Sequence, residues 1–342
     1  MSGIIEQPGI KRGVSLYSFQ EEYFLGKLDL RGCMRTLHEL DIPGVEVIGE
    51  QMFRGFPNLT GQQLADWGAW LDEYQLTPTC HDMFLDTKRW KHRLLNQEES
   101  VEAMVRDIRF AHTLGIKRLR VIVITPPEVV EAAVRYAERY DVRLLLEIHS
   151  PWNFQHEWIQ RHIEVIRRVG SPYLGLMPDL GIFVRRFPRI ISDRYLRDGA
   201  TPALVEKIVA TYNDKGDLAA LPALIEGEGG NAKDVQLARM VGHYCDVNPR
   251  EMLEYMPMIQ HIQAKFYEML DDNTEYSIPY EEIVAVLAEG GYDGWLSSEY
   301  EGNRHIQDAF EVDSIEQVRR HHEMLKTLIA KYQGVTGESA HV

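Results

Sequence analysis

The chain has 342 residues of ordinary globular composition, with 37 basic against 52 acidic side chains and a formal net charge of −15. That acidity argues against nucleic acid or an anionic membrane as partner, and in favour of a small molecule or another protein. Cys33, Cys80 and Cys245 follow no zinc spacing and read as buried small side chains, which argues against a disulfide framework.

In chain order, eight short β-branched or apolar runs stand out: VSLYSF, GVEVIG, TPTCHD, RLRVIV, RLLLEIH, LGLMPDLG, IQHIQAKF and WLSSEY. Between them lie amphipathic segments, giving expected helices at 31–40, 62–74, 98–114, 127–140, 154–169, 278–290 and 315–332. Gly115 and Gly170 fall where a helix end needs the left-handed conformation. TPPEVVEAAV supplies an N-cap threonine, Thr125, with proline in the first turn. Eight βα alternations predict an α/β fold, a (β/α)8 TIM barrel, as one domain over 1–342.

The spacing fails once. About 70 residues separate Asp179 from Pro249 where a single βα step is due. They carry the helical patterns TPALVEKIVATY and AKDVQLARMVGHY and define a helical insertion, 182–248, after strand six. Loops after strands build the active face of this fold, so the insertion is expected to shape a substrate pocket or meet a partner. No apolar run approaches the ~20 residues of a membrane span, and the N-terminal MSGIIEQPGIKRG lacks a leader's pattern, so a cytoplasmic location is expected.

The strand tips are polar. Side chains at i and i+2 share a face of a strand, which sets Glu147 beside His149 and aligns His261, Gln263 and Lys265. Tyr17, Glu46, His81 with Asp82, Asp179, and Ser297 with Glu299 end other strands. Three carboxylates converging without compensation would repel one another, and a divalent cation removes that conflict. Glu147, Asp179, Glu299 and the amide oxygen of Gln263 make a hard, oxygen-rich set suited to Mn²⁺ or Mg²⁺. His149 is then the candidate base. Lys265 is a candidate acid or an ion-pair partner, and Tyr17, Glu46, His81 and His261 are candidate substrate contacts.

Other features carry less. EGEGGNAK at 226–233 lacks the strand–turn–helix setting of a phosphate loop. His162 and the pair His321–His322 fall in helical patterns expected to face solvent. Arg185, Arg186, Arg189, Arg194 and Arg197 would recognise an anion, a partner subunit or the chain's own carboxylates.

The set EIH, MPDLG, HIQAKF and WLSSEYEG, in that order, resembles the xylose-isomerase-like barrels of sugar isomerases, epimerases and dehydratases. RGVSLYSFQEEYFLGKL and MPDLGIFVRRFPRIISDRYLRDGA resemble, within that group, the large subunits of bacterial C-glycoside deglycosidases. The resemblance implies a metal, Mn²⁺ above Mg²⁺, held by Glu147, Asp179, Gln263 and Glu299. It also implies lyase action on 3-oxo-glycosides with a small all-β second subunit in a hetero-oligomer. The departure is Gln263, where the family often has histidine. His261, about 6–7 Å deeper by strand rise, is the fallback ligand. The chemistry expected is removal of the C2 proton by His149 and expulsion of the aglycone, with Lys265, His81 or Tyr17 protonating the leaving carbon. Isomerase or epimerase action on a free ketose, with Glu147 and Glu299 shuttling protons, and a noncatalytic sugar-binding or scaffold role are the alternatives.

Overall fold

The computed structural model describes residues 9–333. The stretches 1–8, with most of the N-terminal leader reading, and 334–342 lie outside the described residues. Eight strands form one sheet: β1 (Lys11–Ser15), β2 (Gly44–Val47), β3 (Thr77–Asp82), β4 (Arg118–Val121), β5 (Arg143–Ile148), β6 (Leu174–Pro178), β7 (Ile262–Phe266) and β8 (Trp295–Tyr300). Their order is β6-β5-β4-β3-β2-β1-β8-β7, and neighbouring strands pair in parallel. The bridges Leu176↔Ile259 and Asp179↔Gln263 bring β6 towards β7. This nearly closed parallel sheet with helices between its strands is a TIM barrel.

Parallel strands buried on both faces separate their two sets of side chains by parity. On β5, Leu144, Leu146 and Ile148 join the large apolar layer between sheet and helices, while Leu145 packs with Cys80 and Met177 in a small separate cluster. The barrel interior above that cluster is polar. Local signals set the helices: Asn96 and Glu99 form a reciprocal capping box for Gln97–Thr113, and Gly170 caps Glu157–Val169 at φ +65°.

Several expectations are corrected. VSLYSF is not one strand: β1 ends at Ser15, a 3-10 turn spans Leu16–Phe19 and a helix Gln20–Phe24 follows, because a fully buried apolar run fits either geometry. Thr125 is not an N-cap. Pro126 occupies that position with no side-chain bond, Pro127 having preset the first turn. Cys245 is only partly buried, with its Sγ 3.2 Å from the Pro151 carbonyl oxygen. The arginine group serves the chain's own acids, with Arg185 on Glu282, Arg189 on Glu268, and Arg194 and Arg197 on Asp308.

His162, His321 and His322 are buried rather than solvent-facing. His321 stacks on Phe266 with ring centroids 4.1 Å apart, and Ser298 Oγ lies 2.7 Å from its Nδ1 and 2.9 Å from His322 Nε2. Burial drives the His321 pKa down to about 3, and that of His322 well down. For a base whose folded pKa is depressed, the neutral form carries the stability. That contribution is complete above the unfolded value near 6.5 and is lost as pH falls towards the folded one. His321→Phe should therefore flatten the acid side of the stability curve, its ΔΔG shifting by about 1.4 kcal/mol per pH unit between pH 6 and 4. Urea unfolding of both proteins at several pH values checks this, and parallel curves would rule it out.

Between β6 and β7 lie the helices Arg189–Arg197, Pro202–Asn213, Leu221–Gly227 and Ala232–Met240. Tyr212 anchors them by donating to the Val184 carbonyl at 2.6 Å, and Thr201 Oγ1 donates to Asp234 at 2.9 Å. The chain then returns through His243 and Tyr244 to the mouth of the barrel.

Candidate active site

Parity sends the odd residues of β7 and the polar tips of the other strands inward, and they form two levels. In the lower level Glu46 Oε2 lies 2.6 Å from His261 Nε2, and Gln263 Nε2 donates to Glu46 Oε1 at 2.5 Å. Glu46, His261 and Gln263 are fully buried. Glu46 and His261, expected to touch substrate, are instead committed to each other beneath the cavity. Burial raises the pKa of Glu46 and raises that of Asp82 well above the ordinary range.

In the upper level Lys265 Nζ sits among acids: 2.7 Å from Asp179 Oδ2, 3.4 Å from Glu299 Oε2 and 3.3 Å from Glu301 Oε1. Burial opposes the lysine's charge, but these three carboxylates outweigh it and raise its pKa well above the usual value. Asp179 feels the same balance from the other side. Burial disfavours its charge, yet Lys265 brings its pKa below the ordinary value. Arg120 plays the second cation, 3.2 Å from Glu147 Oε1 and 3.5 Å from Asp82 Oδ1.

His149 stands at the edge of this network with its side chain 40% exposed. Its Nδ1 lies 2.6 Å from the Ser150 carbonyl oxygen, which can only accept, so that nitrogen carries the proton. Nε2 is then the lone-pair nitrogen, and Lys265 Nζ donates to it at 3.0 Å.

The metal expectation fits in part. Gln263 Oε1 and Glu299 Oε2 are buried without a hydrogen-bond partner among the described residues, while Asp179 Oδ2 and Glu299 Oε2 lie 2.7 and 3.4 Å from Lys265 Nζ. Three such oxygens are a hard donor set of the kind that Mn²⁺ or Mg²⁺ accepts. Glu147, the fourth expected ligand, is tied to Arg120. The three carboxylates do not converge as closely as expected, because Arg120 and Lys265 stand between them. Among the described residues, the group of three His, Cys, Asp or Glu with ligand atoms all within 4.8 Å is Glu46, Cys80 and His261, a possible metal-binding triad deeper in the barrel.

His81 is corrected outright. It faces the helix layer, its Nε2 2.8 Å from Asp107 and its ring 5.1 Å from Phe110, while Asp82 takes the inward place. Asp82, Arg120 and Glu301 lacked an assigned role in the sequence reading. Glu301 was within reach of it, since Ser297, Glu299 and Glu301 continue one period-two row.

Two cavities open at these tips. One of about 310 Å³ is lined by Tyr17, Arg120, Glu147, Glu299 and Arg304, among others. The second, about 260 Å³, is lined by Met240, His243 and Tyr244 of the insertion together with Tyr267 and His305. His149, Lys265 and Glu301 line both. Tyr17 OH donates to Glu301 Oε2 at 3.3 Å, under the Arg304 guanidinium. A larger groove of about 580 Å³ beside residues 274–282 shares no lining residue with these two cavities.

The sequence profile of the family described as xylose isomerase-like TIM barrel matches residues 34–198. The C-glycoside deglycosidase alpha subunit of Arthrobacter globiformis is 32% identical over 323 residues, covering 88% of this chain and 87% of that protein. The 3'-dehydrocarminate deglycosidase alpha subunit of a Microbacterium species is 28% identical, over 95% of this chain and 97% of that protein. Among solved structures, an L-ribulose 3-epimerase superposes with a TM-score of 0.56 at 12% identity, over 97% of this chain and 99% of that one, which shows the shared fold. With eight parallel strands, this polar mouth and these relatives, the chain belongs to the C-glycoside deglycosidase alpha-subunit family, built on the xylose-isomerase-like TIM barrel.

Proposed function

We propose that this protein is the alpha subunit of a metal-dependent lyase that cleaves 3-oxo-glycosides, with carbon–carbon bonds to the aglycone among its targets. The observation that carries the reading is His149, whose lone-pair Nε2 is fixed by the Ser150 carbonyl at the junction of two cavities and next to a buried oxygen set. Asp179, Gln263 and Glu299, joined by Glu147 once Arg120 yields, would hold one divalent cation, Mn²⁺ by preference. Such a cation supplies positive charge to the sugar oxygen that becomes an enolate.

The chain's own residues do the rest. His149 Nε2 takes the proton from C2, and the C–H electron pair becomes the C2–C3 enolate. When that enolate collapses, C1–C2 becomes a double bond and the C1–aglycone bond breaks, its electron pair leaving with the aglycone. Lys265 or Tyr17 returns a proton to the aglycone carbon. His81 is out of reach of that step because it is bound to Asp107. The cavity edged by Tyr17 and Arg304 suits the sugar, and the one built by Met240, His243 and Tyr244 suits the aglycone.

The relatives are named alpha subunits, which supports a small second subunit as partner here. The protein, purified with that partner and Mn²⁺, should release free aglycone from a 3-oxo-C-glycoside. Interconversion of free ketoses without aglycone release would instead make it an epimerase. Sugar binding with neither product would make it a noncatalytic subunit.

A further inference from the structure

Gln263 poses a problem that its carboxylate neighbours do not. An amide has two ends of nearly equal shape, one an acceptor and one a donor, and only the oxygen can face a cation. The lower level of the barrel decides between them. Gln263 Nε2 lies 2.5 Å from Glu46 Oε1 and 3.4 Å from Asp82 Oδ1. With acceptors below it, the amine end turns down and Oε1 is left buried without a hydrogen-bond partner. Glu46 cannot swing away, because its other oxygen lies 2.6 Å from His261 Nε2 and both residues are fully buried.

We infer that Glu46 is a positioning residue: held by His261, it fixes the rotation of the Gln263 amide so that the carbonyl oxygen is presented, with Asp179 and Glu299, to a divalent cation. The inference rests on the metal set proposed above and adds a reason why an amide can serve there. It also gives Glu46 and His261 a role as a hydrogen-bonded support. A cation placed among Glu46, Cys80 and His261 would compete with the contact between Glu46 Oε2 and His261 Nε2.

The isosteric Glu46→Gln tests it. The amide introduced by that substitution can donate its own amine to Gln263 Oε1, which lets Gln263 turn its amine towards the cation. Loss of an outer-shell partner of this kind typically costs about 10–100-fold in metal affinity. Mn²⁺ affinity, read from the electron paramagnetic resonance signal of free Mn²⁺, should fall by that factor in Glu46→Gln while thermal unfolding stays close to wild type. In a Gln263→Ala background there is no amide to orient, and adding Glu46→Gln should leave the affinity where it was. Glu46→Met, which removes the acceptor without adding a donor, should show the same background dependence, and it serves if Glu46→Gln does not fold.

Wild-type affinity in Glu46→Gln, or an equal loss in both backgrounds, would overturn the inference while leaving the metal set intact. A thiolate-to-metal charge-transfer band on loading with Co²⁺ would overturn it by placing the cation at Cys80. A wild-type protein that binds no Mn²⁺ would overturn the metal set and this inference together.

Discussion

His149→Ala is expected to lower aglycone release by ~10²–10⁴, the usual cost of losing a general base, while divalent-metal content stays at the wild-type level. The side chain meets the network through a bond from Lys265 and a 3.6 Å contact with Asp179 Oδ2 and is partly exposed, so its loss is expected to leave Asp179, Gln263 and Glu299 in place. Exchange of the substrate C2 proton with solvent should fall in parallel. A protein in which Glu147 or Glu299 is the base would keep that exchange. A loss smaller than about tenfold, below the general-base range, would reduce His149 to a substrate contact.

Glu299→Ala should abolish metal binding and leave the barrel folded. Glu299 sits near the end of β8 with burial raising its pKa well above the ordinary carboxylate range, Asp179 and Glu301 adding to that and Lys265 opposing it. Burial therefore disfavours its charge, and alanine removes that penalty along with the ligand. Elemental analysis of the purified variant, with a thermal melt beside it, checks both halves. Unchanged metal content would remove Glu299 from the ligand set.

Much of this site was legible from two periodicities. The period-two rule on RLLLEIH and HIQAK aligned Glu147 with His149 and Gln263 with Lys265, because an inward carboxylate or amide on a buried strand has few other uses. The rule failed on TPTCHD, where His81 and Asp82 are adjacent and both faces are buried, so composition could not set the parity. Only packing did, with Phe110 and Asp107 claiming the histidine. Arg120 went unassigned because RLRVIV reads as a plain β-strand, and its pairing with Glu147 and Asp82 is a tertiary fact. The helix Ser314–Gln333 shows a signal present but unread: Val318, His321, His322 and Leu325 form one helical stripe, which buries both imidazoles against Phe266 and Ser298. The orientation of Gln263 was beyond sequence altogether, since it depends on Glu46 from β2 meeting β7 inside the barrel.

The central claim, that a cation held by these residues is needed for deprotonation and bond cleavage, is tested most directly by metal titration. Chelator-treated protein, with its partner subunit, is titrated with Mn²⁺ while aglycone release from a 3-oxo-C-glycoside is followed. Release should rise from background in proportion to bound Mn²⁺ and saturate at one ion per chain, whereas full release by metal-free protein would contradict it.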